Sequence, residues 1–250
     1  MSDLSPWPEG VARHVLPRCA STNAEALSHA TRHPGRAWIV THDQYQGRGR
    51  RGRDWAMPAG NFAGSLALRP AGDPAQAALY SFVAALAVAD AIAAVAGPAA
   101  RLALKWPNDV LLNGGKVAGI LLESAGHGGA VSALAVGIGV NLAATPPADP
   151  DAPFPPVSIA AETGITITPE DFLDLLAPAF AAWEGRLLTE GFAPIRRAFL
   201  ARAARLGETI TARTGRVELV GRFDGIDEGG ALLLTTPAGR QSVPAADVYF

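Results

Sequence analysis

Between Gln46 and Trp55 the chain runs QGRGRRGRDW, with four arginines and three glycines in the seven positions Gly47 to Arg53. Guanidinium groups suit bidentate contact with carboxylate or phosphate. The formal net charge is only −2 over 250 residues, so this density of cations is local. It does not mark a general polyanion binder. Four like charges so close repel one another, and the adjacent sequence offers few acids to pair them. A solvated turn is the default for one Arg-Gly pair. For this stretch the expectation is a glycine-loosened loop, open when empty, that folds over an anionic ligand.

Gly47 to Gly52 fits the dinucleotide pattern G-x-G-x-x-G, but the context fails. That pattern needs a helix opening at the third glycine and an acid about 20 residues on. Here Asp54 to Asn61 has no helical periodicity, and Gly72-Asp73-Pro74 is another turn. An RNA-binding tail would lie in low-complexity sequence, which this is not. Gly115-Lys116 is followed by Val117, so no Walker-type phosphate loop is present.

A second candidate is KWPNDVLLNGGKVAGILLE, Lys105 to Glu123. A two-residue turn at Asn113-Gly114 or Gly114-Gly115 would make it a hairpin. Period-2 alternation then puts Asp109 and Lys116 on one face, a carboxylate beside an ammonium. Taken singly, Asp109 is equally a turn residue and Lys116 an exposed hairpin lysine. Ser21-Thr22-Asn23 has the chemistry of a helix cap. In VGIGVNL, Gly137 and Gly139 suit close backbone packing. Trp55 taken alone reads as plain core. His14, His29, His33, His42 and His127 suggest no metal site, and Cys19 alone suggests a buried thiol.

The elements that must position these groups follow from periodicity. Asn23–Thr31 predicts a short helix, and AWIV (Ala37 to Val40) a strand entering the arginine loop. GSLALRP predicts a strand, and Ala75 to Ala100 a long apolar helix, better buried in a core than crossing a membrane. RLALKW, the hairpin and VSALAVGIGVNL add strands. Thr145 to Pro156 has six prolines in twelve positions and should be a surface loop. Two amphipathic helices follow from Pro169, broken near Gly191. Strands with few helices between them predict an α+β fold, a mixed, largely antiparallel sheet with helices on one side. Past Gly207, short strands with glycine turns predict a small β-barrel that leans on the main domain. The expected division is 1–206 and 207–250. With 49% hydrophobic and 18% charged residues the chain is not disordered. One cysteine and no signal-like N-terminus fit a reducing cytoplasm.

STNAEA (Ser21 to Ala26), Gln44 with GRGRRGRDW, KWPNDVLLNGGKVAGILLE and VGIGVNL, in this order and spacing, resemble biotin protein ligase. The resemblance runs from about Val11 to the C-terminal barrel, which it implies is SH3-like. It implies a two-step reaction: biotin and ATP give biotinyl-5′-AMP and pyrophosphate, then biotin passes to a lysine of a biotin carboxyl carrier protein. It further implies that Ser21, Thr22, Asn23, Gln44, Arg48, Gly49, Arg50, Trp55, Lys116 and Gly119 bind biotin. Arg50, Arg51, Arg53, Asn108, Lys116 and Asn141 would meet ATP, Asp109 would hold Mg²⁺, and Lys116 and Arg50 would be catalytic. About 20 residues before Ser21 cannot make a DNA-binding domain, so the monofunctional type is expected, with no DNA and no membrane partner and a homodimer possible. Ala63-Gly64 stands where bulkier residues are expected, at a pocket wall or dimer face. The rival readings are a lipoate or octanoate ligase and a nucleic-acid-binding module.

Overall fold

The computed structural model describes residues 6–70, 72–148, 153–214, 217–244 and 246–249. β1 (Val11–Leu16), α1 (Thr22–Arg32) and β2 (Arg36–Thr41) open the chain. β1 and β2 pair in parallel, which demands a crossover, and α1 is that crossover. β3 (Phe62–Leu68) follows the arginine loop, then α2 (Pro74–Ala78) and α3 (Tyr80–Ala96). β4 (Leu102–Lys105), β5 (Asp109–Leu112), β6 (Gly115–His127) and β7 (Ala130–Val140) form a meander. The seven strands lie in the order β1-β2-β3-β7-β6-β5-β4, antiparallel except for the first pair.

The mixed, largely antiparallel sheet is therefore as the sequence predicts, but its two faces differ. Trp38, Val40, Leu66, Val136 and Ile138 belong to the large core, together with α3. On the opposite face Ala37, Ile39, Ala67, Ala133 and Ala135 pack against Ala26 and Ala30 of α1. So α1 stands apart from the other helices, and β1 was not anticipated. Alternating residues in β2 and β7 serve the two faces, as a period of two requires. The predicted long helix is two, meeting at Leu79. Pro74–Ala96 is long and apolar enough to cross a membrane by composition. Here Val83 to Ala89 are at most 1% exposed, buried among β-strands and α5 (Pro169–Glu190). The alanines let α3 lie close to its neighbours.

The proline-rich loop runs without helix or strand where described, and its residues 149–152 lie outside the described residues. α4 (Ile159–Thr163), α5 and α6 (Phe192–Leu200) follow, the last two separated at Gly191 as expected. Asp90, the acid inside the apolar helix, accepts from Trp183 Nε1 at 2.7 Å and pairs with Arg202 at 2.5 Å. The C-terminal strands are β8 (Thr209–Arg213), β9 (Glu218–Ile226), β10 (Leu232–Thr236), β11 (Gly239–Val243) and β12 (Asp247–Tyr249). They form an antiparallel sheet in the order β11-β10-β9-β8-β12. This sheet shares its core with the main one: Ile210, Phe223, Ile226 and Leu232 belong to the same cluster as α3. Trp106 Nε1 donates to Gly230 O at 2.9 Å, a buried hydrogen bond between the two.

Candidate active site

A cavity of about 440 Å³ opens on the α1 side of the main sheet, and β7 lays out part of its floor. Gly137, Gly139 and Asn141 fall on one face by alternation, spaced along the cavity. A Cβ on Gly137 would come within 2.2 Å of Asn23 Oδ1, and one on Gly139 within 2.3 Å of the Trp55 ring. Gly119 pairs with Gly139 across β6 and β7, and its Cβ would lie 3.0 Å from the same ring. The two glycines make a flat seat for Trp55. The close-packing reading of Gly137 and Gly139 is thus what the fold uses, and Trp55 both packs on the sheet and lines the cavity.

At one side of the cavity lies an uncharged polar cluster. Ser21 caps α1, its Oγ accepting from Ala24 N at 3.4 Å. Gln44 Oε1 accepts from Thr22 N at 2.9 Å and from Thr22 Oγ1 at 3.2 Å. Asn23 Nδ2 donates to Glu123 Oε2 at 2.7 Å and to Leu121 O at 3.2 Å, while its Oδ1 faces Ser65 Oγ at 2.7 Å. Asn23 is therefore fully engaged by the protein and holds α1 to the sheet. Ser65 and Glu123 carry no sequence signal for this task.

The cations gather around Asp109. The turn falls at Asn113-Gly114, both at positive φ (51° and 92°), as a type I′ hairpin requires. The register shifts between Val110 and Leu111, so Asp109 stands opposite Gly119. The pair nonetheless meets: Lys116 Nζ lies 2.6 Å from Asp109 Oδ1. Lys105, missed in the sequence although it is four residues before Asp109, lies 3.4 Å from Oδ2. Burial would raise the Asp109 pKa, but Lys116 and Lys105 hold it below the ordinary carboxylate value. Burial lowers that of Lys105, which is 5% exposed, and Asp109 opposes the change. Lys105 also lies over the Phe154 ring at 5.1 Å, and Lys116 over Trp55 at 5.6 Å.

The arginine loop closes the site. It is a small hairpin: Trp55 N donates to Gly47 O at 2.9 Å and Gly49 N to Arg53 O at 2.6 Å. Arg48, Gly49, Arg50 and Arg53 line the cavity; Arg51, expected at the nucleotide, does not. Arg51 sits at φ 57° and turns to Asp247 at 2.8 Å. Arg53 reaches Asp247 at 3.1 Å and Arg50 at 4.0 Å. The expectation of too few acids nearby missed Asp247 because it lies almost 200 positions along the chain. Arg50 Nη1 is also 3.5 Å from Asn108 Oδ1 and 3.4 Å from Ala246 O. Burial lowers the Arg50 pKa, opposed by Asp247 and Asp109.

Asn108 and Asn141 line the cavity too, but both are also structural. Asn108 Nδ2 donates to Ile120 O at 2.6 Å, and Asn141 Nδ2 to Val157 O at 2.9 Å. Ala63 and Gly64 do not line it. Gly64 has no room for bulk, since a Cβ there would meet the Phe62 ring at 2.5 Å. No three His, Cys, Asp or Glu side chains that could hold a metal ion come together among the described residues. Asp109 is a single carboxylate, so these residues fit Mg²⁺ only as one protein ligand beside the oxygens of a nucleotide's phosphates. Cys19 is buried, as expected, and burial raises its pKa.

Comparison with known proteins agrees with this geometry. Residues 15–141 match the model of the biotin/lipoate A/B protein ligase family, and residues 206–250 that of the biotin protein ligase C terminal domain. The chain is 64% identical over 238 residues to the biotin–[acetyl-CoA-carboxylase] ligase of Paracoccus denitrificans, covering 94% of this chain and 99% of that one. It is 30% identical to the bifunctional ligase/repressor BirA of Bacillus subtilis, covering 96% of this chain and 75% of that protein. The biotin protein ligase of Aquifex aeolicus, solved with biotin and ATP, matches at TM-score 0.78 and 22% identity. That match covers 95% of this chain and 97% of the other, and shows a shared fold. With one match across most of the catalytic sheet, another across the C-terminal strands and a relative alike from end to end, this chain belongs to the biotin protein ligase family.

Proposed function

We propose that this protein activates biotin with ATP to biotinyl-5′-AMP and transfers the biotinyl group to a lysine of a biotin carboxyl carrier protein. The observation that carries this reading is one cavity holding two kinds of surface. An uncharged polar cluster (Thr22, Gln44) and a tryptophan on a glycine seat suit a neutral ring and an apolar tail. Lys116, Lys105 and Arg50 suit the carboxylate and the phosphates.

A carboxylate is a poor electrophile, and its approach to a triphosphate sets anion against anion. Lys116 and Arg50 offset that repulsion and stabilise charge as the carboxylate oxygen bonds to the α-phosphorus and pyrophosphate leaves. Asp109 orients both ammonium groups until the substrates replace it as their partner. Mg²⁺, bound by the phosphates with Asp109 as its one protein carboxylate, would add charge neutralisation. Arg48, Gly49 and Arg50 cover the mixed anhydride and keep water from it. The carrier lysine's amine then attacks the carbonyl and AMP leaves. We take residues 1–206 as the catalytic unit and 207–250 as a separate C-terminal one; the family match over 206–250 supports that division.

The test is biotin-dependent exchange of pyrophosphate into ATP, with lipoate and octanoate in parallel. Exchange with biotin alone is expected. Exchange only with lipoate or octanoate would keep the activation chemistry and change the substrate, and no exchange with any would reject the reading.

A further inference from the structure

We infer that Asp247, on β12 of the C-terminal sheet, is a positioning residue that latches the arginine loop shut over the acyl-adenylate. The inference rests on the proposed reaction for its consequence, but the latch itself is a matter of geometry. Arg50, Arg51 and Arg53 converge on this one carboxylate at 4.0, 2.8 and 3.1 Å. The Asp247 side chain is only 15% exposed, so the carboxylate is held in place. Its strand pairs with β8, Asp247 opposite Arg213, and Arg213 O accepts a second bond from Arg51 at 3.3 Å. The C-terminal sheet thus grips the loop at two points.

The grip is graded. Arg51 and Arg53 make the short contacts; Arg53 and Asp247 line the cavity and Arg51 does not. Arg50 makes only long ones and faces the cavity beside Asn108. Arg51 and Arg53 hold the lid, and Arg50 stays available to the ligand. Three guanidinium groups on one carboxylate leave an excess of positive charge, so the latch orders the loop without cancelling its attraction for phosphate. An adenylate that escapes acylates any exposed amine. The bond from the carbonyl carbon to the phosphate oxygen breaks, an amide forms, AMP leaves with the electron pair, and the amine's proton goes to water.

The test compares the full chain with Asp247→Asn, Asp247→Glu and the double variant R51Q/R53Q, which cuts the latch from the other side. Two quantities are read: trypsin cleavage after Arg48 and Arg50, the sites that every variant keeps, without added biotin or ATP, and biotin labelling of an unrelated lysine-rich protein during turnover. Asp247→Asn and the double variant should be cleaved faster and should label the bystander about 10- to 100-fold more. Asp247→Glu should restore most of the parent behaviour, with the thermal midpoint of all variants near the parent's. Parent-like bystander labelling in both latch-breaking variants would overturn the inference, whatever trypsin shows. So would a fall in the KM for ATP with labelling unchanged, since Asp247 would then merely compete with phosphate. Trypsin cleavage needs neither biotin nor ATP. If the parent shows no biotin-dependent exchange, the proposed reaction fails, while unchanged cleavage in both variants would sink the latch separately.

Discussion

Lys116 is the side chain on which the proposed chemistry most depends, and its Nζ is ion-paired with Asp109. Lys116→Gln keeps much of the volume and removes the charge, so pyrophosphate exchange should fall roughly 100- to 1000-fold, as loss of a charge-stabilising donor does elsewhere. The thermal midpoint should also fall, because Asp109 would lose its nearest partner in a buried position. Gly139→Ala tests the seat of Trp55. Its added methyl lies 2.3 Å from the ring, and overpacking of this kind costs about 1–3 kcal/mol. The ring should tilt into the cavity, and titration with biotin should show weaker binding, with a changed tryptophan emission in the free protein. A parent-like affinity would mean that Trp55 is not a wall of the biotin site. At this scale the arginine loop and the Asp109–Lys116 pair were legible from type and spacing, and the structure brings both to one cavity. Their roles and those of Ser21, Thr22, Asn23 and Gln44 rest on the family resemblance. Lys105, Ser65 and Asp247 were not legible, since each gains its role from a neighbour brought in by the fold.

Elements were legible where one rule governs them. Asn113-Gly114-Gly115 marked the hairpin with its turn open to either pair, and the structure places the two positive φ values at Asn113 and Gly114. Gly191 ended α5, its φ of 74° lying where other residues are strained. β1 was missed because VARHVL has four exposed residues in six and pairs only with β2 at the sheet's margin. The β6 bulge was missed because nothing in Val117-Ala118 announces it. The β9–β10 turn offers a pH test. Asp227 Oδ1 accepts from Gly229 N and Ala231 N, both at 2.9 Å, and its Oδ2 from Ser242 Oγ at 2.9 Å. Burial pushes the Asp227 pKa up, but these hydrogen bonds together bring it below the ordinary carboxylate value. A lowered folded-state pKa adds stability that is present above the unfolded pKa, about 3.9, and lost as pH falls through the folded value. Thermal melts between about pH 2 and 5 should therefore show a shallower acid decline for Asp227→Asn than for the parent, with the variant less stable at neutral pH. Identical slopes would remove Asp227 from the acid sensitivity.

For the whole molecule, the two sheets behave as one structure at Trp106. Trp106→Phe keeps the ring in the core and leaves Gly230 O without its donor, which should cost about 1–3 kcal/mol in denaturant unfolding. Loss of a single cooperative transition on that substitution would show that this bond couples the two sheets. The order of strands carries a consequence for how the chain assembles. β4 to β7 form a meander of near neighbours, whereas β3 must wait for β7, pairing Phe62–Leu68 with residues 134–140. Closing so long an intervening segment is slow relative to local hairpins. The cavity lies across that seam, with Thr22 and Trp55 from the earlier segment and Lys116, Gly137 and Gly139 from the later one. A bound ligand therefore rivets the two halves of the sheet together. At a hundred times its dissociation constant it would deepen the folded basin by about 2.7 kcal/mol, so that a cell supplied with biotin and ATP would also hold more of this protein in its finished form.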